Sequence, residues 1–453
     1  MVSRVFSRTM NGSTTEKRGD SAKVLYIAFT FFFLYPFFRD ILPVNDIFWI
    51  LSIMAGLFIC AYCSGLELVI SPTKILWFVL AMIALGSFLI LGADETVLPK
   101  RMGLYLVSML MMILFCRDRK WVRPAIISCL ILLSIHAVAT IILNAAPGLY
   151  ERYVAPSIQG SSVTVVGPKS GLTSHYSYNG QIMAIGLLIS YVLFKMSPFQ
   201  NGKRFDRIKY GILTIIFMIS LLLTTKRAPL LICFVAIILT EYLLATRGKV
   251  ATLYKILLAV YLIAIAAIAF GDQITILSNI MDRLSVLFTA SSLEESTTGR
   301  TFLWDRAIQL WSESPIFGSG WGTYRYYWAD GYQGVSIAAH NVFLQLLAEV
   351  GIVGLVLFLI PSLSILFGLF KTVSQLARGD NRQYDFNDAA TFFAFLFQIY
   401  FFIYCFVGAP LYDFESFPVY FVLSCGVWYA MDNSDGKIRK RRSVTSMSKC
   451  RTA

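Results

Sequence analysis

Charge is scarce in this chain. Asp, Glu, Lys and Arg make up 14% of 453 residues, against 57% hydrophobic and 15% aromatic, and a mean hydropathy of +0.67 excludes an ordinary water-soluble globule. Histidine is scarcer still. The three present, His136, His175 and His340, are not paired at ligand spacing, so no metal and no other cofactor is expected. Cysteine is present in the wrong places for a disulfide framework: Cys60, Cys63, Cys116, Cys129, Cys233, Cys405, Cys425 and Cys450 fall in or beside apolar runs or in the C-terminal tail, and none in the long outer loops. Cys60 and Cys63 form an isolated Cys-x-x-Cys, read as two small buried residues rather than a redox or metal pair. The first apolar segment lacks a small-residue cleavage site and reads as a retained span rather than a signal peptide.

Long hydrophobic runs are abundant. A bilayer core about 30 Å thick needs roughly 20 apolar residues per helix, and that criterion gives about twelve spans, near 23–39, 44–62, 75–92, 101–116, 122–146, 179–196, 208–223, 228–246, 253–270, 342–370, 389–408 and 416–431. The expected fold is an all-α polytopic membrane protein. A tail at 1–22 precedes nine spans within 23–270, a large outer loop covers 271–341, three spans occupy 342–431, and a basic tail runs from 432 to 453. Lys and Arg cluster in the N-terminal tail, at Arg117 to Arg123, at Lys203 to Lys209 and in the C-terminal tail, which places both termini in the cytoplasm. The formal charge of +13 serves topology and anionic lipid headgroups rather than nucleic acid.

Chemistry is expected in the polar interruptions. His136 sits inside an apolar span and reads as a bundle-facing polar contact. The outer loop 147–178 ends in GLTSHYSYNG, where His175 and Asn179 either line a polar vestibule or are merely solvated. Thr224 to Pro229 read TTKRAP; Lys226 and Arg227 at an outer helix end oppose the positive-inside bias and call for an anion, either a lipid headgroup or a dedicated diphosphate. From Gln273 to Ala339 there are four arginines, no lysine and six acids, so the arginines are individually placed.

Within that loop, Leu303, Trp304, Ala307, Ile308 and Trp311 make one helical stripe, which predicts an amphipathic helix capped near Thr298 and stopped before Pro315, lying on the membrane surface or on the bundle. Gly318, Gly320 and Gly322 then allow a close backbone approach without the spacing of a dinucleotide fingerprint. Trp321, Tyr324, Tyr326, Tyr327 and Trp328 suit stacking on sugar rings or an interfacial belt. His340 opens the next span, with Asn341 as its cap. Glu349 lies nine residues along the same helix, about 180° away from His340, and is expected to hold a neighbouring span.

The succession Gly299-Arg300, Trp304, Ala307, Pro315, Gly318, Gly320, Gly322, His340-Asn341, Leu344, Leu347, Glu349, Gly351 and Gly354 resembles the signature of the bacterial O-antigen ligase and O-antigen polymerase superfamily. The resemblance implies a GT-C-like, metal-independent, inverting glycosyltransferase in the bacterial inner membrane, working on the periplasmic face. It implies a donor glycan on undecaprenyl diphosphate and a saccharide acceptor, either a lipid-linked glycan or lipid A-core, with a chain-length regulator as a further partner. Carried over by position, His340 is the catalytic histidine, and Arg227 and Arg300, with Lys226 beside them, bind the diphosphate. Asn341, Arg325, Trp321, Tyr324 and His175 are candidate acceptor or glycan contacts. The family often has Ser-Arg-Gly where this chain has Lys226-Arg227-Ala228, and a His-Pro-Asn-like element where it has His175 to Asn179. Three functions remain open: a repeat-unit polymerase, towards which the reading leans, a ligase to lipid A-core, and a transporter of lipid-linked oligosaccharide without catalysis.

Overall fold

The computed structural model describes residues 23–42, 45–64, 70–91, 107, 109, 119–158, 167–196, 204–245, 251, 300–324, 338–378 and 384–431. The expected spans at 101–116 and 253–270, the loop up to Gly299, Arg325 to Trp328 and both tails lie outside the described residues. Every regular element described is helical: α1 (Lys23–Phe38), α2 (Asn45–Ser64), α3 (Pro72–Leu91), α4 (Val122–Ala145), α5 (Tyr176–Met196), α6 (Arg204–Leu223), α7 (Arg227–Leu244), α8 (Thr301–Glu313), α9 (Val342–Ala377), α10 (Phe386–Cys405) and α11 (Val419–Met431), which opens as a π-helix.

Among the described residues, six helices are long and apolar enough to cross a membrane: α2, α4, α5, α7, α9 and α10. α1, α11 and most of α3 are shorter apolar helices. α6 carries Arg204, Asp206, Arg207 and Lys209 in its first turns, yet exposes Ile208, Ile212, Ile215 and Ile219 along one flank, as a lipid-facing helix does.

The centre is α5. It is apolar on all sides and buried almost throughout from Asn179 to Leu193, the pattern of a helix enclosed by others, and it packs against α4, α6, α7 and α10. α10 is similarly enclosed. His136, fully buried in α4, faces the bundle as expected, with its ring 4.4 Å from that of Phe38.

α9 is the unusual element. Its 36 residues would extend about 54 Å, well beyond a bilayer core, but Gly351 has φ 63° and ψ −167° and breaks the helix there. The glycine-rich loop after α8 threads through this break. The amides of Ser319 and Gly320 donate to the carbonyls of Ala348 (3.0 Å) and Glu349 (2.6 Å), and the amides of Ile352 and Val353 donate to the carbonyls of Pro315 (3.0 Å) and Ile316 (3.2 Å). The two backbones come so close that a Cβ on Gly318 would lie 2.3 Å from the Glu349 carbonyl carbon, and one on Gly351 would lie 2.2 Å from the Ile316 oxygen.

Two expectations change here. His340 lies outside α9, before its Asn341 cap and at φ 52°, so the helical wheel that set Glu349 opposite it does not apply; the Glu349 carboxylate grips the glycine loop where the sequence suggested a neighbouring span. It accepts from the amides of Gly322 (2.8 Å) and Tyr324 (3.3 Å) and from Gln345 Nε2 (3.0 Å). The amphipathic helix starts at Thr301 with Arg300 as its N-cap and no side-chain cap bond, and it buries Leu303, Ala307 and Leu310 while leaving Ile308 exposed. It therefore lies on the bundle, rotated slightly from the stripe the sequence suggests.

The break makes a direct prediction. Gly351→Ala places a side chain at positive φ, a cost of about 1–3 kcal/mol, and drives its Cβ into the loop backbone; a clear fall in the melting temperature of the detergent-purified protein is expected. Gly86→Ala, whose Cβ meets nothing within 4 Å, should melt with or slightly above the wild type. Equal melting of the Gly351 variant and the wild type would show that the break is dispensable.

Candidate active site

Two helix N-termini converge on the N-terminal end of α5, at Tyr176. α7 begins at Arg227 with Lys226 as its N-cap, and α8 begins behind Arg300; neither cap side chain bonds a helix amide. The N-terminus is the positive end of the helix dipole and favours an anion, so cations there oppose the local field. Lys226 Nζ lies 4.0 Å above the ring of Tyr176, the first residue of α5. Arg300 is held by a bond from Nη1 to the neutral carbonyl of Val407 (2.7 Å). Burial lowers its pKa from the ordinary arginine value; Tyr404 and Tyr176 act in the other direction, and the Arg227 charge adds to the lowering. Arg227 and Arg300 are thus within electrostatic reach of each other, which like charges accept when an anion is to sit between them. Lys226 and Arg227 also line a small crevice together with Thr225, Leu221, Leu222, Leu230 and Leu231.

His340 is half-buried and belongs to the same neighbourhood. Ala339 packs with Leu303, Ala307 and Leu310 of α8 and with Tyr324, its amide donates to Gln345 Oε1 (3.3 Å), and Asn341 caps α9 by accepting from Phe343 (3.0 Å) and Leu344 (3.2 Å). The ring of Phe343 lies 4.8 Å from that of Phe406, so the start of α9 and Arg300 both adjoin the Phe406–Val407 turn. Among the described residues, the non-glycine positions with positive φ are Thr225 (55°) and His340 (52°). One precedes the Lys226–Arg227 pair and the other is the candidate histidine itself; strain of this kind gathers at functional sites because the surrounding structure must enforce it.

Other sequence candidates fare differently. Trp321 is buried and stacked on Tyr412 at 5.2 Å. Tyr324 is fully buried, its hydroxyl donating to the carbonyl of Leu303 (2.7 Å). Both rings are spent on packing the loop, so neither offers a face to a sugar here and neither is an interfacial belt residue. Asn341 is committed to capping. Arg325 lies outside the described residues. His175 accepts the Ser177 amide at Nδ1 (3.0 Å), capping α5; burial first, and then the charge of Lys226, lower its pKa to about 4. Asn179 is buried against Thr140, its amide nitrogen donating to Thr140 Oγ1 (3.0 Å) and to the Lys169 carbonyl (2.9 Å).

A buried ionic cluster holds the frame beneath the site. Arg39, just after α1, bonds Asp40 (3.0 Å) and Glu415 (3.3 Å); Asp40 accepts the Ser174 amide (2.7 Å); and Gln181 of α5 donates to Asp413 (2.8 Å) and accepts from Ser416. Two carboxylates, Asp40 and Glu415, share the Arg39 guanidinium, and Asp413 is held by Gln181. Burial pushes Glu415 up to about 8 against the pull of Arg39, with the Asp413 and Asp40 charges adding to the rise. Sequence reasoning missed these residues, together with Tyr176, Thr225, Tyr404 and the Val407 carbonyl, because each acts through a neighbour distant in the chain.

Comparison with known proteins bears on this geometry. Residues 212–359 match the O-Antigen ligase family model. The resemblance to the O-antigen ligase and polymerase superfamily is thereby borne out over about a third of the chain, and the matched segment contains Arg227, Arg300 and His340 alike. The Exopolysaccharide production protein ExoQ of Rhizobium meliloti (strain 1021) is 27% identical over 123 residues, a stretch covering 24% of this chain and 28% of that protein.

The capping role of His175 gives a pH prediction. Its Nδ1 accepts a hydrogen bond only when unprotonated, and a folded pKa near 4 against an ordinary 6.5 means that its contribution is intact above about pH 6.5 and is lost as the pH falls toward 4. Asn caps equally well without titrating. His175→Asn should therefore flatten the fall in melting temperature between pH 6.5 and 4; an unchanged acid limb would remove His175 from that account.

Proposed function

We propose that the chain is a membrane glycosyltransferase that moves a glycan from undecaprenyl diphosphate to a sugar hydroxyl on the periplasmic face of the bacterial inner membrane, extending a polysaccharide by repeat units. The observation that carries this reading is the convergence of Lys226, Arg227 and Arg300 at two uncapped helix N-termini, beside the loop that bears His340. A diphosphate is an anion that three cations at helix N-termini suit, and arginine can grip it bidentately.

In the proposed step the acceptor oxygen attacks the anomeric carbon, the bond from that carbon to the diphosphate oxygen breaks, and the electron pair leaves with the diphosphate. Lys226, Arg227 and Arg300 stabilise the charge developing there. His340 takes or orients the proton of the acceptor hydroxyl. A single displacement of this kind inverts the anomeric centre, and because the clamp supplies the positive charge the reaction is metal-independent. Similarity to an exopolysaccharide production protein favours the polymerase reading; the match to the O-Antigen ligase family keeps open a ligase, for which lipid A-core is the proposed acceptor.

The test is glycan transfer in proteoliposomes with lipid-linked repeat units at matched levels of folded protein. His340→Ala should lower transfer by about 10²–10⁴-fold, the usual contribution of a general base, with donor binding retained. Arg300→Ala should lower it by about 10²–10³-fold, and Arg300→Lys should restore only part, since lysine cannot reproduce a bidentate grip. A product ladder identifies a polymerase, and transfer only to supplied lipid A-core a ligase. Undiminished transfer in both alanine variants would overturn the site, and donor translocation without transfer by the wild type would make the protein a transporter.

A further inference from the structure

The loop that threads the break in α9 also carries an apolar surface that the proposed chemistry does not use. Past the break, α9 exposes Ile352, Val356, Ile360, Leu363, Phe367 and Phe370, spaced at intervals of four, four, three, four and three residues, which puts them on one flank. Residues 352–377 extend about 39 Å, enough to cross a bilayer core, so this flank faces lipid and Gly351 lies near one end of the crossing. Ile316 is 56% and Phe317 67% exposed. Both are fixed beside Ile352, because the carbonyls of Pro315 and Ile316 receive the amides of Ile352 and Val353. Ile308, 46% exposed, lies on the flank of α8 shared with Trp304 and Trp311, and Trp311 Nε1 donates to the Pro315 carbonyl (3.1 Å). Arg306, Gln309 and Glu313 lie elsewhere on α8, and the exposed Asp305 and Ser312 border Ile308 on the side away from Trp304 and Trp311.

We propose that Ile308, Trp311, Ile316 and Phe317 form a wedge that enters the bilayer and continues the lipid-facing flank of α9 outward past its break, with the acyl chains of the adjoining leaflet as its partner. Two independent features of the backbone agree with this. A non-helical segment at membrane depth must have its amides and carbonyls satisfied by protein, and the exchange between 315–320 and 348–353 does so on both sides of the break. The side chains left pointing away from that exchange are apolar, as lipid requires and water does not. The wedge fixes the depth of α8, and with it the height of Arg300 above the bilayer core.

The proposal is tested by nitroxide labelling of Ile308→Cys, Ile316→Cys and Phe317→Cys in proteoliposomes, in a background with the reactive native cysteines replaced, comparing collisions with oxygen, which concentrates in lipid, against a water-soluble nickel chelate. Gln309→Cys serves as the aqueous reference and Val356→Cys as the lipid reference. The oxygen-to-nickel ratio at 316 and 317 should exceed that at 309 several-fold and approach that at 356. A ratio at these positions equal to that at 309 overturns the wedge. Should a label at 317 disrupt the loop, the ratios at 316 and 308 decide in the same way.

Discussion

The structure depends on the exchange of backbone hydrogen bonds between the Pro315–Gly320 turn and the broken helix α9. A helix interrupted at membrane depth leaves amides and carbonyls without partners, each costing several kcal/mol in hydrocarbon. The turn supplies those partners at Ala348, Glu349, Ile352 and Val353. The Glu349 side chain then holds the next stretch through Gly322 and Tyr324, and Tyr324 in turn anchors α8 at Leu303. Helix α8, the glycine loop and the first part of α9 therefore form one unit, with Arg300 at one edge and His340 at another.

Electrostatics sets what such a unit is good for. Arg300 and the Lys226–Arg227 pair stand at the ends of helices whose dipoles repel them, a placement that the proposed diphosphate would turn from a liability into a clamp. The acids cluster elsewhere: Asp40 and Glu415 pair with Arg39, and Asp413 accepts from Gln181 and so ties the Val407–Ser416 stretch to α5. Separating the two sets keeps carboxylates that would compete with a diphosphate engaged with Arg39 and Gln181. It also fixes the turn whose Val407 carbonyl orients Arg300.

Much of this was legible in the sequence, and the limits follow from the physics. Apolar runs identify α4, α5, α7 and α10 to within a few residues, because burial in lipid imposes a composition that no other environment demands. Lys226, Arg227 and His340 stand out because they interrupt that composition, whereas Arg300 stands out only through the family resemblance. The break at Gly351 could not, since a glycine within an apolar helix looks the same whether it packs or kinks. Nor does composition distinguish a tryptophan or tyrosine offered to a sugar from one that packs a loop; Trp321 and Tyr324 prove to be of the second kind. Glu349 shows the same limit, for its partners at Gly322 and Tyr324 stand more than twenty residues away on another segment. His175 reads either as a vestibule residue or as a solvated loop histidine, and in the structure its ring caps α5.

The most direct test of the account is a structure of the protein in lipid nanodiscs with a non-transferable prenyl diphosphate bound. The account predicts the diphosphate between Arg227 and Arg300, within hydrogen-bonding distance of both guanidiniums and at the N-termini of α7 and α8. A diphosphate bound elsewhere, with both arginines unengaged, would contradict it.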